Sequence, residues 1–173
     1  MSNKPALIIC YGVSGCGKST AAHYISEQLG FQYIEADDFH PEVNKAHMAA
    51  GKPLTDEMRE PWIQTLCSHI KSEMDAGKSC VMANSCLKKI YRQRYRDIGF
   101  PTLFIHLEGS YELIYERMQA RENHFMPASL LQSQFDTLES AEGEANVVSL
   151  DISAPLEDLK DMTIDEVKNF LAL

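Results

Sequence analysis

The chain has 173 residues, 45% of them hydrophobic, which fits one domain with a sizeable buried core. Its net charge of −9 argues against nucleic acid as the main partner, so an anionic ligand must be held by a local basic cluster. Met1-Ser2-Asn3-Lys4-Pro5 lack the apolar core of a signal peptide, no apolar run is long enough to span a bilayer, and five cysteines without a C-x-x-C pair suit free thiols in a reducing cytoplasm.

Ala6-Leu7-Ile8-Ile9-Cys10-Tyr11 is an apolar run that predicts a strand. The next stretch, Gly12-Val13-Ser14-Gly15-Cys16-Gly17-Lys18-Ser19-Thr20, satisfies the phosphate-loop pattern G-x-x-x-x-G-K-[ST]. Its glycines let successive N–H groups turn inward toward phosphate oxygens, and the helix that follows begins with its positive end at the same point. Lys18 is expected on the β- and γ-phosphates of a nucleoside triphosphate, and the Ser19 hydroxyl on Mg²⁺.

The helix after the loop carries apolar positions Ala22, Ile25 and Leu29 and closes at Gly30. Residues Phe31 to Glu35 alternate as a second strand that runs into Asp37-Asp38-Phe39-His40-Pro41. A short helix over Pro41 to Ala50 precedes a long one from Asp56 to Ala76, with Trp62, Leu66, Ile70 and Met74 near one face. Strands are predicted over Ser79 to Ala83, Thr102 to Leu107 and Val147 to Asp151. Helices are predicted over Lys88 to Asp97, after a Ser110 cap, and from Pro127 to Leu138. Thr163-Ile164-Asp165-Glu166 reads as a capping box that opens the last helix. Strands alternating with helices imply an α/β layer structure with a mostly parallel sheet, whose ligands gather at the carboxyl ends of the strands.

Phosphoryl transfer also needs a group that orients or deprotonates the acceptor hydroxyl, and cations for the charge on the transferring group. Asp37 and Asp151 both lie at strand ends. Asp37 is the expected catalytic base or ligand to Mg²⁺-bound water, because it precedes His40 and faces the acceptor side. Lys88, Arg92 and Arg96 share a helix side, and only the start of that basic run can reach a substrate. Arg117 and Arg121 sit one helical turn apart before a broken segment at His124-Phe125, the pattern of a lid that places arginines over the γ-phosphate. Trp62 reads as core.

Beyond the loop, the chain carries Asp37-x-x-His40-Pro41, Arg59-x-Pro61-Trp62, Leu87-Lys88-Lys89-x-Tyr91-Arg92, Arg117-x-x-x-Arg121-x-x-His124-Phe125 and Ser133-Gln134-Phe135. These segments, in this order over nearly the whole chain, resemble the gluconokinases. The resemblance implies a single adenylate-kinase-like P-loop kinase domain: a five-stranded parallel sheet flanked by helices, a mobile helical substrate region near 38–76 and a lid near 117–130. It implies a cytoplasmic enzyme, often a homodimer, that phosphorylates D-gluconate with ATP and Mg²⁺. On that likeness Lys18, Asp37 and Arg121 are catalytic. Residues Gly12 to Thr20 with Arg117 and Arg121 hold ATP; Ser19 and Asp37 serve the metal. Asp37, His40, Arg59, Lys88, Arg92 and His124 hold the acceptor. The chain departs from the pattern at Ala36, Met58, Asn84, Cys86 and Asn123, and lacks the usual proline after Leu138-Glu139. Two other readings stand beside this one. Another small-molecule kinase of the same layout, of the shikimate or nucleotide type, fits the loop equally well. A nucleotide switch would need an N-K-x-D base reader, and Asn44-Lys45-Ala46-His47 lacks its acid.

Overall fold

Alternate residues of the central strands point into two different apolar layers, and that alternation sets the architecture. The computed structural model describes residues 4–120 and 128–172. Arg121, Asn123, His124 and Pro127 lie outside the described residues. Strands β1 (Leu7–Tyr11), β2 (Gln32–Glu35), β3 (Cys80–Ala83), β4 (Thr102–Glu108) and β5 (Val147–Asp151) form one sheet in the order β2-β3-β1-β4-β5. Each pairing is parallel, with Ile8 opposite Val81 and Cys10 opposite Ile105.

Helix α1 (Lys18–Leu29) follows β1 after the glycine-rich loop, and Gly30 ends it in the left-handed conformation. A 3₁₀ turn (Ala36–Phe39) leads to α2 (Glu42–Ala49) and α3 (Asp56–Asp75); α4 (Lys89–Arg96), α5 (Tyr111–Gln119), α6 (Ala128–Thr137) and α7 (Leu156–Leu171) complete the described helices. On one face of the sheet Ile8, Cys10, Val81 and Ile105 pack with Ala22 and Ile25 of α1 and Val167 of α7. On the other, Leu7, Ile9, Met82 and Phe104 pack with Trp62, Ile63, Leu66, Ile70 and Met74. The long α3 is amphipathic for this reason, and the Thr55 hydroxyl caps it by accepting the Met58 N–H at 3.2 Å. Ser110 caps α5 likewise, through the Leu113 N–H.

One predicted boundary is corrected. The last helix begins at Leu156 after Pro155, with Glu157 and Asp158 in its first turn, so Thr163 is mid-helix. Thr163 is buried and its hydroxyl donates to the Leu159 carbonyl one turn back at 2.7 Å, a bond that replaces capping.

Candidate active site

Because all five strands run the same way, their carboxyl ends deliver the phosphate loop, the Ala36–Phe39 turn and the Asn84–Lys88 segment to one edge. The loop is glycine-built for a steric reason. Gly12 has φ 147°, and a Cβ there would lie 2.8 Å from Cys16 Sγ and 3.0 Å from the Leu107 carbonyl oxygen. Gly15 has φ 82°, and a Cβ would meet Met118 Cγ at 2.6 Å. The Gly12 N–H donates to the Ser85 carbonyl, which ties the loop to the end of β3.

Several polar groups of the loop have partners within the protein. Lys18 Nζ donates to the Val13 carbonyl at 3.0 Å, and the Ser19 hydroxyl to Glu35 Oε2 at 2.6 Å. Tyr33 donates to the same Glu35 oxygen. The Ser14 N–H donates to Gln134 Oε1 at 2.7 Å, and Gln134 Nε2 donates back to Ser14 Oγ at 3.2 Å.

A cleft of about 740 Å³ opens beside the loop, and Ser14, Lys18, Asp37, His40, Arg59 and Lys88 all line it. Asp37 is exposed in the 3₁₀ turn, with its Oδ1 3.7 Å from His40 Nε2. His40 is buried against Trp62, ring to ring at 4.0 Å. Burial first, and then the nearby Arg59 and Lys45 charges, push its pKa down to about 4, so the ring is neutral at pH 7. Asn44 fixes the tautomer. Its amide nitrogen donates to the Met58 carbonyl at 2.9 Å and lies 3.2 Å from His40 Nδ1, which leaves the proton on Nε2, facing Asp37.

Arg59 and Lys88 converge on Asp56, at 3.5 and 3.1 Å. Tyr91 also donates to Asp56, and the two cations flank its ring at 5.6 and 5.8 Å. Hydrogen bonds from Tyr91 and Lys88 hold the Asp56 carboxyl below its ordinary range. Burial and that carboxylate push the Tyr91 phenol up to about 12.

A second cavity of about 400 Å³ lies on the other side of the loop, lined by Gly15, Cys16, Gly17, Thr20, Arg117 and the apolar Ile152, Ala154 and Leu159. Arg117 donates to the Ile152 carbonyl at 2.7 Å. Arg117, expected in the lid, borders this cavity, and Ile152 and Ala154 after Asp151 form part of its wall. Asp151 itself caps a turn through the Ser153 N–H, which lowers its pKa.

Arg92 is a correction. It has no exposed surface, and its guanidinium is spent on Glu144 at 2.8 Å and on the carbonyls of Cys86, Glu139 and Ser140. It ties the Cys86 and Glu139–Ser140 segments to Glu144, and with no exposed surface it presents nothing to an acceptor. Cys86 sits in the left-handed conformation at φ 43°, and Asn84 Oδ1 accepts its N–H at 3.2 Å, so two of the departures from the family pattern work as a pair. The residues that sequence reasoning left out are Glu35, Asp56, Gln134 and the His40-facing side of Trp62, which all line the same cleft. Glu35 was visible only as the polar end of an alternating strand.

The chain is similar to known proteins along nearly all of this framework. A family model described as an AAA domain matches residues 7–141, from β1 to just beyond α6. A probable gluconokinase of Rattus norvegicus is 35% identical over 95% of this chain and 98% of its own length. The thermoresistant gluconokinase of Escherichia coli K12 is 38% identical over 94% of this chain and 93% of its own. The chain belongs to the gluconokinase family. The crystal structure of a gluconokinase from Sinorhizobium meliloti 1021, 36% identical, superposes with a TM-score of 0.87 over 96% of this chain and 93% of that one. The fold is therefore that of the P-loop kinases, and the two cavities flank residues 12–20.

Proposed function

We propose that this chain transfers the terminal phosphoryl group of ATP to the primary hydroxyl of D-gluconate, giving 6-phosphogluconate and ADP. The observation that carries the reading is one cleft in which phosphate-loop residues Ser14 and Lys18 share walls with Asp37, His40, Arg59 and Lys88. A sugar acid needs what this cleft offers: cations for its carboxylate, neutral donors for its hydroxyls, and a carboxylate at the reacting end. Arg59 and Lys88 take the carboxylate, and His124 is assigned to the same acceptor set on the resemblance alone. The neutral His40 offers its Nε2 proton to a hydroxyl or to Asp37. The adenine side of ATP lies in the apolar second cavity beside Arg117.

The donor set suits Mg²⁺. Ser19 and Glu35 are hard oxygen ligands 2.6 Å apart, Asp37 lines the same cleft, and this ion keeps most of its waters and phosphate ligands. Mg²⁺, when held by Ser19 with Glu35 and Asp37 on its water, supplies neutralisation of charge on the phosphates. In the transfer, the acceptor oxygen forms its bond to the γ-phosphorus as the bond to the ADP oxygen breaks, and Asp37 takes the hydroxyl proton. Lys18 and Arg121 stabilise the charge on the transferring group, and an arginine in that role can be worth about 10³-fold.

The same reading puts the enzyme in the cytoplasm, where its five cysteines stay as reduced thiols, and as a homodimer, which light scattering measures. No described helix is long and apolar enough to cross a membrane. The deciding assay follows ADP release from ATP with and without gluconate and identifies the product by mass. ADP formed only with gluconate, and Asp37→Asn reducing turnover at least about 10²-fold with the fold intact, is the expected result. ATP turnover indifferent to gluconate would refute the proposal.

A further inference from the structure

The loop and α6 are joined by a bond that the transfer chemistry does not use. Ser14 and Gln134, 120 residues apart in sequence, exchange two hydrogen bonds: the Ser14 N–H donates to Gln134 Oε1, and Gln134 Nε2 donates to Ser14 Oγ. The position of Ser14 decides what that means. Gly15, Cys16 and Gly17 line the second cavity, whereas Ser14 and Lys18 line the cleft that holds Asp37. A phosphate chain crossing the loop from one side to the other therefore brings its terminal group to the Ser14 side. The Ser14 N–H belongs to the γ-phosphate, and the Gln134 amide oxygen now occupies it.

We propose that Gln134 is a latch that makes the loop discriminate between nucleoside triphosphate and diphosphate. This rests on the reading of residues 12–20 as the donor cradle. The amide oxygen is a neutral stand-in for a phosphate oxygen. A γ-phosphate oxygen, being charged, forms a stronger hydrogen bond to the same N–H and displaces it. A diphosphate has no group at that position and leaves the latch closed. Triphosphate binding then carries the cost of opening one pair of neutral hydrogen bonds, and diphosphate binding carries none. Opening also frees a residue of α6, the helix that contributes Leu130, Ser133 and Thr137 to the acceptor wall.

The test is calorimetric titration of the intact protein with ADP and with the β,γ-imido analogue of ATP, both with Mg²⁺, for the wild type, Gln134→Ala and Gln134→Glu. Gln134 is half-buried on a helix surface, so alanine is tolerated, and a thermal melt checks each variant. The expected result is that Gln134→Ala binds the imido analogue about two- to tenfold tighter, the worth of a net hydrogen bond, with ADP affinity unchanged. Gln134→Glu should bind the analogue more weakly than the wild type does, since a fixed negative charge then competes for the N–H and repels the phosphate. Weaker analogue binding by Gln134→Ala would make Gln134 a direct phosphate ligand and overturn the latch. An equal shift for both nucleotides, or none for either, would overturn it too. A wild-type protein that binds neither nucleotide would instead remove the donor-cradle reading, and the latch with it.

Discussion

Replacing Arg92 with methionine separates bracing from ligand binding. The guanidinium has no exposed surface and serves Glu144 and the carbonyls of Cys86, Glu139 and Ser140, with the Tyr11 ring 5.2 Å from its centre. Methionine keeps much of the packing volume and removes every one of those bonds. Glu144 is not orphaned, because Arg96 holds its other oxygen at 2.9 Å. Breaking a buried ion pair costs about 3–5 kcal/mol when the remaining charge is left alone, so the retained Arg96 puts this change near the lower end, about 3 kcal/mol. That is a large part of the roughly 5–15 kcal/mol that holds a domain folded. At about 2–4 °C per kcal/mol for a chain of this length, the melting temperature should fall by about 6–12 °C. Circular dichroism gives the melt, and steady-state kinetics well below it give the gluconate KM. A fall in melting temperature with KM changed less than about threefold fits a brace. A melting temperature within about 2 °C of wild type, together with a KM raised more than about tenfold, would return Arg92 to the substrate and refute the structural argument.

Glu35→Gln keeps an acceptor for Ser19 and Tyr33 but removes the charge; the Mg²⁺ concentration for half-maximal activity should rise about tenfold, read from a metal titration of initial rates. Asp56→Asn removes the carboxylate that shields Arg59 and Lys88, and the gluconate KM should fall about two- to fivefold; a rise would mean that Asp56 places those cations rather than shielding them. His40 has its pKa depressed to about 4 in the folded state, so the unfolded chain binds its proton first as pH falls. Its contribution to stability is therefore whole above about pH 6.5 and is lost toward pH 4; urea unfolding across that window should show a shallower loss in His40→Gln than in the wild type.

The sheet was legible because its signals are local. Leu7 to Tyr11 and Thr102 to Leu107 are apolar runs of strand length, and a Gly-rich turn followed by Lys18 admits few other readings. One misread feature depended on partners far along the chain, the other on burial. Lys88, Arg92 and Arg96 share a helix side by spacing alone, but Arg92 and Arg96 meet Glu144, 52 residues beyond Arg92, while Lys88 meets Asp56. Thr163-x-x-Glu166 has the letters of a capping box, and the same letters serve a buried mid-helix threonine that bonds back to Leu159. Glu35 gave no signal, and Gln134 appeared only within the Ser133-Gln134-Phe135 segment, with no role attached. One is a polar residue on an alternating strand and the other a neutral amide on an amphipathic helix, and only the folded loop shows what they hold.

Those partners explain how a chain of net charge −9 can receive two anions at one edge of its sheet. Its donors are not left bare to water. Lys18 rests on Val13, Ser19 on Glu35, the Ser14 N–H on Gln134, and Arg59 and Lys88 on Asp56. Each partner is an oxygen of the protein itself, and on the proposed reading it stands in for a ligand oxygen. Binding is then an exchange of one oxygen for another, so the geometry of the donors is set before the ligand arrives and little ordering remains to be done. The exchange also ranks the ligands. The Val13 carbonyl and the Gln134 amide, both neutral, yield readily to a charged phosphate oxygen, and Glu35 stays beside the metal, whereas Asp56 competes with a substrate carboxylate on nearly equal terms. The donor half of the site should therefore bind tightly and the acceptor half more weakly, with the difference set by the charge on the displaced oxygen.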